Sequence, residues 1–178
     1  MQILRVCWGS DPFAFQTLNY PVSTAQNLTA DSFHFGSEPQ GFICGVWIVL
    51  EDIHPDSGPF EYFPGSHHLP YLQPKYVGSC QQESNTSDEI IFQDSWLSSL
   101  SRYRLGVKKS SPRVGQAVIW TANLIHAGGG EGDEQSQAHW SQLSHYYCAR
   151  CRYFSRMLSD WPDGSIAWRD PKPIQVLI

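Results

Sequence analysis

Turn-forming residues recur about every ten positions along the first third of the chain, and this rhythm constrains the fold more than any other feature. The turn signals are Gly9–Pro12, Pro21, Gly36–Pro39, Pro55–Gly58 and Pro64–Ser66. Short runs rich in Phe, Val, Ile, Tyr and Trp separate them, which is typical of an antiparallel β-sandwich or β-barrel. The pattern predicts strands near residues 13–20, 30–35, 41–51, 60–63, 115–121 and 139–149.

The pattern changes to helical spacing in one stretch only, after an acidic start at Asp88. Apolar residues there recur partly at intervals of three and four positions, which predicts a helical insertion over residues 88–105. With 178 residues the chain is long enough for one domain with a core and too short for two. We therefore expect a single all-β domain over residues 1–178, interrupted by that helix.

Composition excludes several classes of function. A formal net charge of −5 supplies no basic stripe for a phosphate backbone, so nucleic acid is not expected as a partner. No apolar run is long enough to cross a membrane, and the first ten residues lack the features of a signal peptide. Five cysteines, an odd and dispersed set, favour reduced thiols over a disulfide framework. We expect a cytoplasmic protein without a membrane partner; the sequence does not indicate the oligomeric state.

Two segments carry the chemical information. The first is the strand Val46–Leu50 followed by the acidic, Pro- and Gly-containing run Asp52–His67; the second is the strand within Val114–Gly129, which leads into His126 and then glycines. Together they resemble the phytanoyl-CoA dioxygenase-like family of non-haem Fe(II)/2-oxoglutarate-dependent oxygenases. The resemblance implies a double-stranded β-helix, also called a jelly roll and cupin-like. It also implies Fe(II) and 2-oxoglutarate as cofactors and a small organic molecule as substrate.

The family binds iron through His-X-Asp on one strand and a single histidine on a distant strand. Residues two apart on a strand share a face, so the first two ligands point into the barrel together. The resemblance places the distal ligand at His126 and the His-X-Asp at Thr29-Ala30-Asp31. Asp31 retains the carboxylate, whereas Thr29 stands where the first histidine belongs. His34, three residues beyond Asp31, is a weak substitute that would need a β-bulge to face inward.

The cosubstrate half of the site departs from the family in a second place. The family pairs 2-oxoglutarate with an arginine about a dozen residues past the distal histidine, through a bidentate contact. The matching position is His139, whose imidazole cannot form that fork. Ser141, on the same face, matches a position that supports the carboxylate, and Trp47 either lines the cosubstrate pocket or packs in the core. His145, among aromatic residues of the same predicted strand, is interpreted as a packing residue.

Two functions follow from these substitutions. One is an oxidoreductase, an Fe(II)/2-oxoglutarate dioxygenase that hydroxylates a small organic substrate with a site altered at Thr29 and His139. The other is a catalytically inactive jelly roll, binding or structural, derived from such an enzyme. The family also carries a helical segment before the first barrel strand, and here the predicted barrel starts almost at Met1. The resemblance therefore implies a chain that is short at its N-terminus.

Overall fold

A computed structural model describes residues 1–22, 27–52, 59–72, 86–128, 138–160 and 164–174. Its helices are α1 (Gln2–Trp8) and α2 (Thr86–Arg102), and two 3₁₀ turns span Asp31–Phe33 and Ser66–His68. The strands are β1 (Pro12–Val22), β2 (Phe35–Glu38), β3 (Ile43–Val49), β4 (Phe60–Tyr62), β5 (Lys108–Ser110), β6 (Ala117–Thr121), β7 (His126–Ala127), β8 (Ala138–Cys148), β9 (Arg152–Ser155) and β10 (Trp168–Arg169).

The strands form two antiparallel sheets that supply the walls of the barrel. The larger sheet has the order β1-β8-β3-β6 and the smaller one the order β5-β4-β7. An isolated bridge between Thr29 and His126 extends the smaller sheet by one position. A third sheet, β10-β9-β2, packs against the larger one, with the Tyr153 ring of β9 stacked on Tyr147 of β8. This arrangement confirms the all-β fold predicted from the turn rhythm.

Aromatic side chains dominate the packing at the end of the barrel where β8 finishes. Tyr147 is fully buried, and its ring stacks on Phe15 at 3.6 Å and on Tyr153 at 3.7 Å between centroids. Phe13 meets Tyr147 edge-on at 6.1 Å. Each such aromatic residue removes a large apolar area from water, so this end of the barrel is stabilised without any bound group.

The helix predicted for residues 88–105 is present as α2, Thr86–Arg102. Its inner side is apolar: Phe92, Trp96 and Leu100 are buried, whereas Leu97 is 53% exposed. Phe92 and Trp96 pack against Phe33, with ring centroids 4.5 and 6.0 Å away. The helix thus covers the segment that carries Asp31. No helix in the described ranges has the length and apolar character needed to cross a bilayer.

The strand predicted for residues 30–35 is wrong in its first part. Residues Asp31–Phe33 form a 3₁₀ turn, and β2 begins only at Phe35. The turn is held from the side: the Ser32 amide donates to the Ala122 carbonyl at 2.8 Å, and the Ser32 hydroxyl donates to Asn123 Oδ1 at 2.9 Å. Contacts with the 122–123 turn therefore replace strand pairing here.

Candidate functional site

Thr29 and His126 are joined through their backbones. The Thr29 amide donates to the His126 carbonyl and the His126 amide donates to the Thr29 carbonyl, both at 2.8 Å. This reciprocal pair is the hydrogen-bonded position of an antiparallel ladder. Positions 29 and 126 are therefore adjacent, as the resemblance implies for two iron ligands, although residue 29 contributes a hydroxyl and not an imidazole.

Asp31 lies inside the barrel with 7% of its surface exposed. Its Oδ2 accepts a hydrogen bond from the indole Nε1 of Trp120, on β6 of the larger sheet, at 2.8 Å. A buried carboxylate needs such a partner because its charge has lost the solvation of water. The hydrogen bond fixes Oδ2 and leaves Oδ1 directed at other groups.

His126 faces that second oxygen. Its Nδ1 lies 2.9 Å from the Leu124 carbonyl, which can only accept, so Nδ1 carries a proton and donates it there, and Nε2 is the ring nitrogen that faces Asp31. Nε2 is 3.7 Å from Asp31 Oδ1. Two ligands of one ion, each at roughly 2 Å, lie within about 4 Å of each other. The Asp31–His126 pair therefore has the tautomer and the separation of a metal-binding pair, as expected from the sequence; metal binding itself stays a prediction.

His145, interpreted from the sequence as a packing residue, is buried among aromatic rings and also lies beside Asp31. It lies on β8, and its Nε2 is 3.6 Å from the same Asp31 Oδ1. The register places it opposite Gly45, which in turn lies opposite Trp120. We call Asp31, Trp120, His126 and His145 the central cluster. A signal was available: His145 is four residues beyond Ser141 on one strand, so the two share a face.

The electrostatics of the central cluster favour an ionised Asp31. Burial alone would raise the pKa of this carboxyl group. Contact with His145, positive charge on His126 or His145, and the Trp120 hydrogen bond together outweigh burial and hold the pKa below its ordinary value. The pKa of Tyr20 is raised by burial and by the negative charge of Asp31, which places Tyr20 of β1 within the field of the site.

The other predicted site residues are distributed around this centre. Trp47 is half-buried on β3, and its ring is 5.8 Å from Phe60, whose ring is 5.5 Å from that of His126. Ser141 is buried on β8 opposite Val49. Of His139 the structure describes the backbone alone, within β8. Trp47 and Ser141 line the same barrel as the central cluster. Their predicted contact with 2-oxoglutarate is therefore compatible with the fold, and it stays a prediction.

His34 is placed differently from the ligand candidates. It ends the 3₁₀ turn with helical backbone angles, and its side chain is exposed. Its ring meets Phe33 edge-on, with centroids 4.8 Å apart. Because Asp31 is buried and His34 is exposed, the β-bulge that would have turned His34 inward is not formed.

A complete facial triad requires three converging donors, and the described residues supply it only in part. Asp31 and His126 fit two of the three positions, and a threonine hydroxyl is a poor third ligand beside an imidazole. Within the described ranges, no three His, Cys, Asp or Glu side chains are already arranged to hold an ion. The site is therefore a two-ligand pair with an additional buried imidazole beside it.

Solved structures of similar fold include non-heme α-ketoglutarate-dependent enzymes. The non-heme α-ketoglutarate-dependent epimerase SnoN from nogalamycin biosynthesis is 18% identical, with 98% of this chain and 64% of SnoN covered at a TM-score of 0.61. EctD from S. alaskensis, solved with 2-oxoglutarate and 5-hydroxyectoine, is 18% identical, with 97% and 57% covered at 0.64. The carbocyclase SnoK, also from nogalamycin biosynthesis, is 14% identical, with 97% and 64% covered at 0.62.

These likenesses confirm the double-stranded β-helix. The chain spans about three fifths of the length of these proteins, 57–64% of each. No curated protein sequence matches it. The model of the family described as phytanoyl-CoA dioxygenase (PhyH) matches residues 2–136 of the 178. On this match, which includes Thr29, Asp31 and His126, the chain belongs to the phytanoyl-CoA dioxygenase family.

Proposed function

We propose that the protein is an Fe(II)/2-oxoglutarate-dependent oxygenase that hydroxylates a small organic substrate, with its affinity for both cofactors reduced by Thr29 and His139. The observation that carries the proposal is the Asp31–His126 pair, with Nε2 3.7 Å from Oδ1 and Nδ1 committed to the Leu124 carbonyl. A histidine held in this way is oriented for a metal, because the hydrogen bond from Nδ1 to the carbonyl fixes the tautomer and the direction of Nε2.

Bound iron and 2-oxoglutarate would activate O₂, with one oxygen atom going to the substrate and the other to the succinate that forms as 2-oxoglutarate loses CO₂. The chain's residues would hold the iron and the 2-oxoglutarate in place. Asp31 and His126 would bind the iron. Trp47, His139 and Ser141 would surround the cosubstrate, with the Ser141 hydroxyl available to its carboxylate. We further propose a cytoplasmic location, and the net charge of −5 disfavours nucleic acid as a partner.

A second candidate is a binding or structural jelly roll without turnover. It is favoured by Thr29 at the ligand position and by the Asp31 carboxylate, which is already stabilised by Trp120 and two imidazoles. Loss of a metal ligand and of the cosubstrate arginine together is simply explained as decay of one activity, since each is of no use without the other.

The experiment that separates the two candidates repairs each altered position. We would titrate Fe(II) without oxygen and, in a separate assay with O₂ present, measure succinate release from 2-oxoglutarate for the wild type, Thr29→His, His139→Arg and the double variant. Thr29→His should raise iron affinity, because it adds an imidazole two residues from Asp31. His139→Arg should raise 2-oxoglutarate affinity through a charged bidentate pair, by about 1.5–3 kcal/mol.

Matched controls isolate the chemistry of each change. Thr29→Ala removes the hydroxyl without adding an imidazole and should leave iron affinity unchanged. His139→Lys adds charge without the planar fork and should gain less affinity than arginine. If the wild type and all variants release no succinate and none binds iron, the non-catalytic candidate is correct.

A further inference from the structure

His145 is a buried imidazole whose ring nitrogens form no hydrogen bond with any residue that the structure describes. Its exposed fraction is 5%. The rings of Phe35 and Phe15 lie beside it, with centroids 5.4 and 6.2 Å away. Burying a polar group without a hydrogen bond costs about 1–3 kcal/mol, so a buried imidazole that contacts the Asp31 carboxylate only at 3.6 Å requires an explanation.

The orientation of the ring supplies one. Nε2 of His145 lies 3.6 Å from Asp31 Oδ1, the oxygen that His126 Nε2 approaches at 3.7 Å. Both separations exceed the usual length of an N–H···O hydrogen bond, about 2.7–3.2 Å. They are close to the spacing of two ligands that share an ion, since donors at about 2.1 Å from a metal are about 3.0–3.4 Å apart at octahedral or tetrahedral angles.

We propose that His145 is the second imidazole ligand of the metal site, in place of the histidine that position 29 lacks. The proposal rests on the proposed iron-binding function of the Asp31–His126 pair and deepens it. Two imidazoles and one carboxylate are the donor set that suits Fe(II) and other divalent transition metals. The donors would come from the 3₁₀ turn, β7 and β8, and not from two positions on one strand.

Binding requires a small closure of these side chains around the ion. The three are not already arranged as a metal centre. The Nε2–Oδ1 separations of 3.6 and 3.7 Å must shorten by a few tenths of an ångström to reach the spacing of about 3.0–3.4 Å between two ligands of one ion. Trp120 Nε1, 2.8 Å from Oδ2, keeps that oxygen occupied, so Oδ1 is the carboxylate donor. Rotation of the two imidazoles about their side-chain bonds supplies the rest.

The test is a Co(II) titration of the full chain, followed by calorimetry and by the visible absorption of the bound ion. The wild type should bind Co(II), and His145→Gln should weaken its affinity for Co(II) at least ten- to hundredfold. Loss of a residue that only supports a metal ligand already lowers metal affinity by that factor. His68→Gln, at an exposed histidine, is the matched control and should leave affinity unchanged. Adding Thr29→His to His145→Gln should restore affinity, because it returns an imidazole beside His126.

A second measurement uses the wild type alone and does not depend on how the variants fold. Proton NMR of the Co(II)-bound protein should show paramagnetically shifted ring N–H signals from two imidazoles, His126 and His145. A shifted signal from His126 alone would overturn the assignment of His145.

The outcomes distinguish this inference from the proposed function. If Asp31→Asn and His126→Gln abolish Co(II) binding while His145→Gln and His68→Gln do not, His145 is not a ligand and the proposed function stands. If the wild type binds no Co(II), or if Asp31→Asn and His126→Gln bind it as well as the wild type, both proposals are wrong.

Discussion

The indole of Trp120 lies over Gly45, in the space that a side chain at position 45 would occupy. The two residues are register partners on β3 and β6, and a Cβ added to Gly45 would lie 2.5 Å from Trp120 Cε2. No real Cβ makes so short a contact with a ring. Because Gly45 has no side chain, the indole can lie over β3 and donate from Nε1 to Asp31.

Gly45→Ala should displace the indole and break the Trp120–Asp31 hydrogen bond. We expect a loss of about 1–3 kcal/mol in the free energy of unfolding from overpacking, measured by urea denaturation. Gly106→Ala is the control, because residue 106 is exposed and no atom of the described segments lies within 4 Å of the added Cβ. Equal stability of the two variants would show that the indole can move without cost.

Asp31 should make stability depend on pH in the acid range. Its pKa in the folded protein is below the ordinary 3.8, so ionised Asp31 contributes stability at higher pH, and this contribution is lost as pH falls below about 4. Asp31→Asn should flatten that part of the profile of unfolding free energy against pH. Asp94→Asn, at an exposed position on α2, should leave the profile as in the wild type.

The barrel should fold without metal. Its core is formed by aromatic clusters such as Phe15, Tyr147 and Tyr153, which need no ion to pack. Treatment with a chelator should lower the thermal midpoint by less than about 2 °C, since 1 kcal/mol corresponds to about 2–4 °C in a chain of this size. A fall of ten degrees or so would identify the metal as a structural part of the barrel.

Helix α2 should contribute to stability through its inner side only. Trp96→Ala removes a buried ring that packs on Phe33 and Phe92, and we expect a loss of about 3–5 kcal/mol. Leu97→Ala, at the next residue and 53% exposed, should change stability by no more than about 0.5 kcal/mol. Because Phe33 is two residues from Asp31, Trp96→Ala should also weaken metal binding, which the Co(II) titration measures.

Sequence patterns predicted the long strands well, because the position of a long strand depends on local runs of apolar residues and on the turns that bound them. Strands β1, β3, β6 and β8 fall where alternating or continuous apolar runs lie between turn signals. The strands that were missed are short: β5 (Lys108–Ser110), β7 (His126–Ala127), β9 (Arg152–Ser155) and β10 (Trp168–Arg169). Strands of two to four residues carry too few apolar positions to show a period.

The site was predictable where it depends on spacing and unpredictable where it depends on distant contacts. The adjacency of Asp31 and His126 followed from the family pattern. The 3₁₀ turn at Asp31 depends on hydrogen bonds to residues 122–123, which are far away in sequence. The position of His145 depends on the register of β8 against β3, which fixes which rows of side chains meet. The hydrogen bonds of the turn leave no local signal, whereas the spacing of His145 from Ser141 shows which face it occupies but not that it reaches Asp31.

The bonds between Thr29 and His126 involve main-chain atoms alone. Any residue with a backbone N–H preserves them, so the barrel presents position 29 to His126 whatever side chain stands there. The backbone position of residue 29 therefore does not depend on whether its side chain can bind a metal. An imidazole at position 29 can thus be lost, or regained by one substitution, without breaking the backbone bonds that hold this part of the barrel together.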